Sequence, residues 1–258
     1  MKRILNFNEP IILNGKGKLF PNRSLAQRDG YNEFRLKFAR ELCREIATYS
    51  QTISEKIKKQ YASDTHIWYG ERQLTTPIII AFNNIADACI SELPVKRDFK
   101  DKRVKYRKLE GRIDYWALFK ETDYYIEFKH FMRKTKSNDL RVINKAYTDD
   151  KDKLLRTVKH IDEDRLIQKK APKCLLVHTI ALHLRQEEYE NNNNFNETCG
   201  KFLNSLSQNE TLEYDELFLF EFHKGIANKL WTGENDNRYV WPYLIIGFKN
   251  VYADKSKQ

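Results

Sequence analysis

The amino-acid sequence predicts an α/β protein in which a mixed β-sheet is flanked by helices. Two observations carry this prediction. Helix-like and strand-like segments follow each other in the order α, α, β, β, α, β, α, β, β, which is typical of layered α/β domains. The run 173–182 is almost continuously apolar, as expected of a central strand that is covered on both faces.

The N-terminal quarter is predicted to be an extension of a core that comprises residues 65–258. Residues 1–31 have a mixed composition with scattered Gly and Pro, and we expect an irregular arm with one short strand. From about Asn32 to Tyr61, apolar residues recur at steps of three and four, which predicts an amphipathic helix. We interpret residues 1–64 as an arm and helix that pack on the core, with a dimer contact as the alternative use of the helix.

A second helix is predicted from about residues 71–77 to Leu93. Its body is apolar on most sides, so we expect it to be buried. Pro77 falls in the first turn, where proline is tolerated because that amide has no partner within the helix.

A β-hairpin is predicted next, and further elements complete the layered pattern. The segments 112–119 and 124–130 are rich in β-branched and aromatic residues and flank a polar turn at 120–123, which is a hairpin signal. The remaining elements are surface helices within 138–168, the central strand 173–182, a polar helical stretch at 185–206, and strands at 217–222 and 243–248.

Composition excludes several classes of protein. The chain has 258 residues, of which 41% are hydrophobic, too many for a disordered chain. No apolar run approaches the roughly 18–20 residues that span a bilayer, and residues 1–7 lack the apolar stretch of a signal peptide. The four cysteines lie far apart, which argues against a zinc ribbon or a disulfide scaffold. We therefore expect a cytoplasmic protein.

A basic segment precedes the hairpin. The net charge of the chain is +10, and residues 96–108 contain eight cations and two anions. Such density attracts polyanions, nucleic acid first among them. The alternative is a solvated basic loop without a partner.

Three ionisable residues of the hairpin are the main candidates for chemistry. Glu127 and Lys129 are two residues apart on one strand and therefore share a face. If the turn is centred on residues 121–122, Asp114 lies directly opposite Lys129 and joins them on that face, whereas a one-residue slip would send it to the other.

Charges among Tyr, Trp, Phe, Ile and Leu are costly unless they are paired or bound to a metal. Two carboxylates suit Mg²⁺ or Mn²⁺, which complete their coordination with water and substrate phosphate. Lys129 would then orient a metal-bound water and offset charge that develops on phosphorus. The alternative is a structural cross-strand Asp–Lys pair with a neighbouring Glu.

The position of this pattern distinguishes it from similar ones. An acid followed two residues later by Lys occurs three times, as 98–100, 127–129 and 149–151, and only the second occurrence lies in an apolar strand whose hairpin partner carries an acid. Here the sequence resembles the PD-(D/E)xK nuclease superfamily, the restriction-endonuclease-like fold. The resemblance covers about residues 65–182, with Ile113 where the superfamily motif can have proline.

The resemblance implies roles for individual residues. Asp114 and Glu127 would bind the divalent cation, with the Phe128 carbonyl as a third ligand, and Lys129 would position the attacking water. A further acid is expected on the preceding helix.

Glu71 is the candidate for this helical acid, with Glu55 as the weaker rival. Glu71 would hold the metal, directly or through water, or orient the lysine.

Candidate contacts to nucleic acid come from the basic segment, from the end of the second hairpin strand and from the helix that follows. His130, His178 and His183 are interpreted as structural. The candidate nucleic-acid-binding residues are Lys100, Lys102, Arg103, Lys105, Arg107, Arg133, Lys134, Lys136, Lys153 and Arg156.

The leading hypothesis is therefore a Mg²⁺- or Mn²⁺-dependent nuclease, with DNA favoured as substrate and a role in bacterial defence, restriction or repair expected from the superfamily. Specificity could come from a homodimer or from a partner protein. The alternative is a non-catalytic nucleic-acid-binding or assembly module that keeps the nuclease fold.

Overall fold

The structure, a computed structural model, describes most of the chain. The described residues are 11–13, 17–21, 33–61, 71–96, 110–164, 172–191, 195–222, 231–232 and 238–251. No helix in these ranges is both long enough and apolar enough to cross a membrane.

The described part of the chain contains five helices and nine strands. The helices are α1 (Glu33–Tyr61), α2 (Glu71–Ile85), α3 (Arg141–Asp164), α4 (Gln186–Asn191) and α5 (Phe195–Gln208). The strands are β1 (Ile11–Leu13), β2 (Gly17–Pro21), β3 (Ala88–Lys96), β4 (Glu110–Phe119), β5 (Thr122–Lys134), β6 (Lys173–Arg185), β7 (Glu216–Glu221), β8 (Trp231–Thr232) and β9 (Arg238–Val251).

These strands form one mixed sheet. Their order is β1-β2-β7-β9-β6-β5-β4-β3, and β8 pairs with β9. β5 and β6 are parallel and are connected through α3, whereas the other paired strands are antiparallel. The predicted α/β class with a mixed sheet is confirmed.

Helices cover both faces of the sheet. On one face, α1 and α2 bury their apolar side chains, and Phe38 of α1 stacks on Tyr124 of β5 with ring centroids 4.0 Å apart. On the other face, Leu154 of α3 and Phe202 of α5 pack with Leu176 of β6 in a second apolar cluster. α1 thus covers the sheet, as its spacing predicts, because Phe38 lies on its buried face together with Leu42.

The predictions for the second helix are wrong at two points. The helix ends at Ile85, not Leu93, and Pro77 is its seventh residue, inside the helix and not in the first turn. The strand β3, which was not predicted, begins at Ala88. Asp87 breaks the helix because its backbone amide donates to the Leu118 carbonyl of β4. A short apolar run such as 88–90 fits a strand as well as a helix, so periodicity alone could not separate them.

The predicted irregular arm also contributes more than one short strand. β1 pairs with β2, and β2 pairs with β7 at the edge of the sheet. The N-terminal arm therefore supplies two strands to the sheet that carries the hairpin.

The register of the β4–β5 hairpin differs from the prediction by two residues. Tyr115 pairs with Ile126, whereas the predicted register would pair Tyr115 with Phe128. The turn consists of Lys120 and Glu121 alone, with φ of 49° and 60°, as in the tight two-residue turns that match strand twist. Asp114 is therefore not opposite Lys129, and the predicted pairing is wrong.

Candidate active site

Glu127 is a fully buried carboxylate on the face of the sheet beneath α3. Its neighbours Ile126 and Phe128 belong to the apolar cluster under α1 and α2, so alternation turns Glu127 to the opposite face. Its exposure is 0%. The Lys153 ammonium of α3 donates a hydrogen bond to Glu127 Oε2, which compensates the buried charge.

Asp114 is tied to the backbone beside Glu127. The regular ladder between the strands ends at Tyr115 and Ile126, and the next residues are Asp114 and Glu127. The Phe128 N–H donates to Asp114 Oδ2 at 2.8 Å. A carboxylate of β4 is therefore held against the segment of β5 that carries the second acid.

A break in β4 accounts for this position. Tyr115 lies in the cluster under α1 and α2, whereas Ile113 lies in the cluster under α3 and α5. Residues two apart in a regular strand share a face, so the alternation is broken at Asp114. The adjacent strand is irregular at the same level, because Glu92 of β3 has φ of 55°.

The prediction that Asp114, Glu127 and Lys129 share one face of the hairpin describes Glu127 and Lys129 but does not describe Asp114 fully. Glu127 and Lys129 share a face because they are two residues apart on one strand, whereas the side chain of Asp114 lies where the alternation of β4 is broken. Asp114 approaches them through its hydrogen bond to the β5 backbone.

Lys129 lies beside a buried histidine. Its partner on the parallel strand β6 is His178, which has 0% exposure. Burial is the main cause that lowers the pKa of His178, and the charge of Lys129 lowers it further, against the opposing effect of Asp150. His178 is therefore a neutral core residue at neutral pH, in agreement with its structural interpretation.

His178 is part of a polar cluster that the sequence interpretation missed. His178 Nδ1 and the Tyr214 hydroxyl share a hydrogen bond of 2.7 Å, and His178 Nε2 lies 3.9 Å from Asp150 Oδ2. Asp150 and Lys153 are three residues apart on α3, about one helical turn. One side of α3 therefore supplies both an acid and a cation to this face of the sheet.

A signal for Asp150 was present in the sequence. The buried residues of α3 include Ile143, Tyr147, Leu154 and Thr157, and Asp150 falls between them at the same spacing of three and four. An acid within the apolar stripe of an amphipathic helix indicates a buried partner. Glu127 lies on the strand that immediately precedes this helix, and Lys153 of the helix is its cation.

The candidates for the helical acid are placed differently. Glu71 is the first residue of α2, and its side chain lies outside the described part of the structure. Glu55 lies on α1, which packs on the face opposite α3, and accepts a hydrogen bond from Gln51 Nε2 at 2.9 Å. Glu55 therefore does not join the hairpin acids.

The candidate nucleic-acid contacts are only partly visible. Lys100, Lys102, Arg103, Lys105 and Arg107 lie outside the described residues.

Of the described cations, Lys134 and Arg156 are exposed, and Arg133 donates to the Met132 carbonyl at 2.9 Å. Lys136 is paired with Glu188 at 2.7 Å. Lys153, also a candidate nucleic-acid-binding residue, forms an ion pair with Glu127.

The other two histidines interpreted as structural have packing partners. His130 Nδ1 and Thr179 Oγ1 share a hydrogen bond of 2.8 Å. Burial, with a smaller effect of the Lys134 charge, lowers the pKa of His183 to about 4, and its ring lies 4.5 Å from that of Trp241.

The carboxylates of Asp114 and Glu127 are the oxygen ligands that this site offers to a divalent cation. The described residues contain no cluster of three or more His, Cys, Asp or Glu side chains placed to hold a metal. Mg²⁺ often binds through one or two carboxylates and keeps several waters, and Asp114 and Glu127 are two carboxylates beside one strand segment. Asp114 and Glu127 would therefore hold such an ion. The Lys153 ammonium now pairs with Glu127 and would compete with the ion for that carboxylate.

Comparison of the chain with protein-family models, with characterised proteins and with solved structures finds no match.

Proposed function

We propose that this chain is a metal-dependent nuclease that hydrolyses phosphodiester bonds, with DNA as the favoured substrate. One observation carries the proposal: the hydrogen bond from the Phe128 amide holds the Asp114 carboxylate against the strand segment that contains Glu127. Lys129 follows on the face of Glu127, so two anions and a cation are carried by adjacent strands.

The order of elements supports the resemblance to the PD-(D/E)xK superfamily. One acid lies on β4, the acid-x-Lys pattern lies on the neighbouring β5, and α2 precedes both. We propose on this basis that the sheet and its helices form a restriction-endonuclease-like fold.

In the proposed mechanism, each group acts through its position. A divalent cation, when bound, supplies Lewis acidity and lowers the pKa of a coordinated water. Asp114 and Glu127 hold the cation, and the Phe128 carbonyl is the further ligand that the resemblance implies. Lys129 orients the attacking water and offsets negative charge in the transition state. The exposed Lys134 and Arg156 bind backbone phosphates.

The test is cleavage of plasmid and single-stranded DNA in Mg²⁺ or Mn²⁺. We expect Asp114→Asn and Lys129→Ala to lower the rate at least ~100-fold, because the first removes a metal ligand and the second removes the group that orients the attacking water. Asp149→Asn and Lys145→Ala are matched controls, because both residues are exposed on α3, and they should retain wild-type rates. Equal cleavage by wild type and Lys129→Ala would contradict the proposal and indicate a contaminating nuclease.

A second function is favoured by the burial of Glu127. Its carboxylate has 0% exposure and already pairs with Lys153, as in a structural ion pair of a non-catalytic nucleic-acid-binding or assembly module. This alternative predicts salt-dependent DNA binding without cleavage in any divalent cation. The cleavage assay, with DNA binding measured beside it, distinguishes the two functions, because the wild-type module would bind DNA but would not cleave it in either Mg²⁺ or Mn²⁺.

A further inference from the structure

The Glu127–Lys153 pair joins a group in the interior to a group that reaches the surface. Glu127 has 0% exposure, whereas the Lys153 side chain retains 27% of its exposure. A carboxylate without solvent is unfavourable unless a cation compensates it. The Lys153 ammonium hydrogen-bonds to this carboxylate.

Lys153 has a fixed backbone and a movable side chain. Its neighbour Leu154 is completely buried in the cluster between α3 and the sheet, so the backbone of α3 is anchored at this point. Lysine carries its ammonium on a flexible four-carbon chain, and part of the Lys153 chain is already in solvent. The ammonium can therefore leave Glu127 without movement of the helix.

An ammonium and a divalent cation compete for the same carboxylate. Both compensate its charge, and two cations beside one carboxylate repel each other, so binding of a metal to Glu127 disfavours the ammonium that hydrogen-bonds to Oε2. The Asp114 carboxylate is held differently. The Phe128 amide donates to its Oδ2, and Oδ1 does not take part in that hydrogen bond.

We propose that Lys153 is the resident counter-cation of the site: it neutralises Glu127 until a divalent cation replaces it. Lys153 is then a positioning residue that compensates the buried carboxylate of Glu127 in the metal-free protein. The inference rests on the proposed function, because only a metal-binding Glu127 makes Lys153 a competitor.

The test measures binding of Mn²⁺ alone, without DNA, by calorimetry on the full chain at about pH 8, where carboxylates are ordinarily ionised. We expect Lys153→Met to bind Mn²⁺ about tenfold more tightly than wild type, a change that corresponds to ~1.4 kcal/mol. Lys145→Met, an exposed lysine of the same helix, should leave the affinity unchanged. An affinity in Lys153→Met that is equal to or lower than in wild type would overturn the inference.

Two further variants separate this result from failure of the proposed function. Asp114→Asn and Glu127→Gln should each abolish Mn²⁺ binding. If they do and Lys153→Met still gives no increase, the counter-cation role is wrong and the metal site stands. If wild type, Asp114→Asn and Lys153→Met all fail to bind Mn²⁺, both the metal site and the counter-cation role are wrong.

A measurement on the wild-type protein covers the case in which Lys153→Met does not fold. Amine-reactive labelling, followed by mass spectrometry of the peptides, reports the accessibility of each lysine. Addition of Mn²⁺ should increase the labelling rate of Lys153 severalfold, because its ammonium is released from Glu127, and should not change that of Lys145. An unchanged rate at Lys153 with saturating Mn²⁺ would overturn the proposal.

Discussion

Buried carboxylates in this protein differ in how their charge is compensated. Glu127 has the Lys153 ammonium as its partner. Glu216, at the start of β7, is 5% exposed, and its Oε1 has no hydrogen-bond partner among the described residues. Burial raises the pKa of Glu216 to about 7, an effect that the Arg40 charge partly offsets. Glu216 is therefore a carboxyl whose ionisation in the folded protein is opposed by burial.

Glu216 should make the protein less stable at alkaline pH. Its carboxyl has an ordinary pKa of 4.5 and a folded-state pKa of about 7, so the folded state binds the proton more tightly between these values. The free energy of unfolding should fall as pH rises through this window and remain low above it. Glu216→Gln should stabilise the protein by up to ~3 kcal/mol at pH 8, measured by urea unfolding.

The effect of Glu216→Gln should almost disappear at about pH 4, where the native carboxyl is protonated in both states. Glu213→Gln, at an exposed position nearby, should change stability little at either pH. An equal gain for Glu216→Gln at both pH values would contradict burial as the cause.

At the scale of single elements, the turn between β4 and β5 determines which residues of the hairpin face each other. Lys120 and Glu121 both adopt left-handed conformations, and the Lys120 amide donates to Asp87 Oδ2 at 3.1 Å. Residues other than Gly and Asn are disfavoured in this conformation. The tight turn is therefore maintained by the pairing of its strands and not by local preference.

Replacing Glu121 by glycine should stabilise the hairpin. Glycine adopts a φ of 60° without the steric cost of a Cβ atom, so Glu121→Gly should raise the free energy of unfolding by about 1 kcal/mol. Thermal or urea unfolding would measure this change. A clear loss of stability would show that the Glu121 side chain contributes more than its backbone conformation costs.

Gly247 of β9 has a close contact that constrains the sheet. His178 of β6 is its partner in the ladder, and a Cβ atom at residue 247 would lie 2.8 Å from the Tyr214 ring. Gly247→Ala should therefore displace this ring, weaken its hydrogen bond to His178, and destabilise the protein by about 1–3 kcal/mol. Urea unfolding provides the measurement.

Gly200 provides the matched control for this substitution. It lies in α5, and a Cβ atom there would meet no other atom within 4 Å. Gly200→Ala should stabilise the helix by up to about 1 kcal/mol. If both substitutions destabilise the protein equally, the contact with Tyr214 is not the cause.

At the scale of the whole molecule, net charge and layering determine how a polyanion would approach. The chain carries a net charge of +10. The proposed site lies on the side of the sheet covered by α3, where Arg156 of that helix is exposed, and Lys134 is exposed at the end of the strand that carries the site, whereas α1 covers the other side. DNA binding should therefore depend on cations near α3 more than on those of α1.

DNA affinity should fall with salt, and variants near the site should reduce that dependence. Each phosphate contact contributes roughly −0.9 to the slope of log affinity against log salt. Lys134→Ala and Arg156→Ala should each make the slope less steep by about 1, measured by fluorescence anisotropy in metal-free buffer. Lys37→Ala on α1 is the control. Equal slopes for all four proteins would place the DNA elsewhere.

Much of the fold was predictable because its signals are local. The amphipathic spacing of α1 and the apolar run of β6 depend on residues only a few positions apart, and both predicted elements are present. Helix and strand were not separable at 88–90, because a run of three apolar residues has no distinctive period. The hairpin register was mispredicted because the turn uses Lys and Glu where glycine or asparagine would have signalled it.

Strand periodicity in the sequence places Glu127 and Lys129 on one face, and the apolar residues around them make their charge unusual. The contacts of Asp114 with the Phe128 amide and of Lys153 with Glu127 follow from the packing of the folded chain. The physical reason is range: side-chain direction along a strand follows from backbone geometry over two residues. The contact between α3 and β5 depends instead on how a helix packs across the sheet after a connection of many residues, and no local pattern specifies that angle or depth.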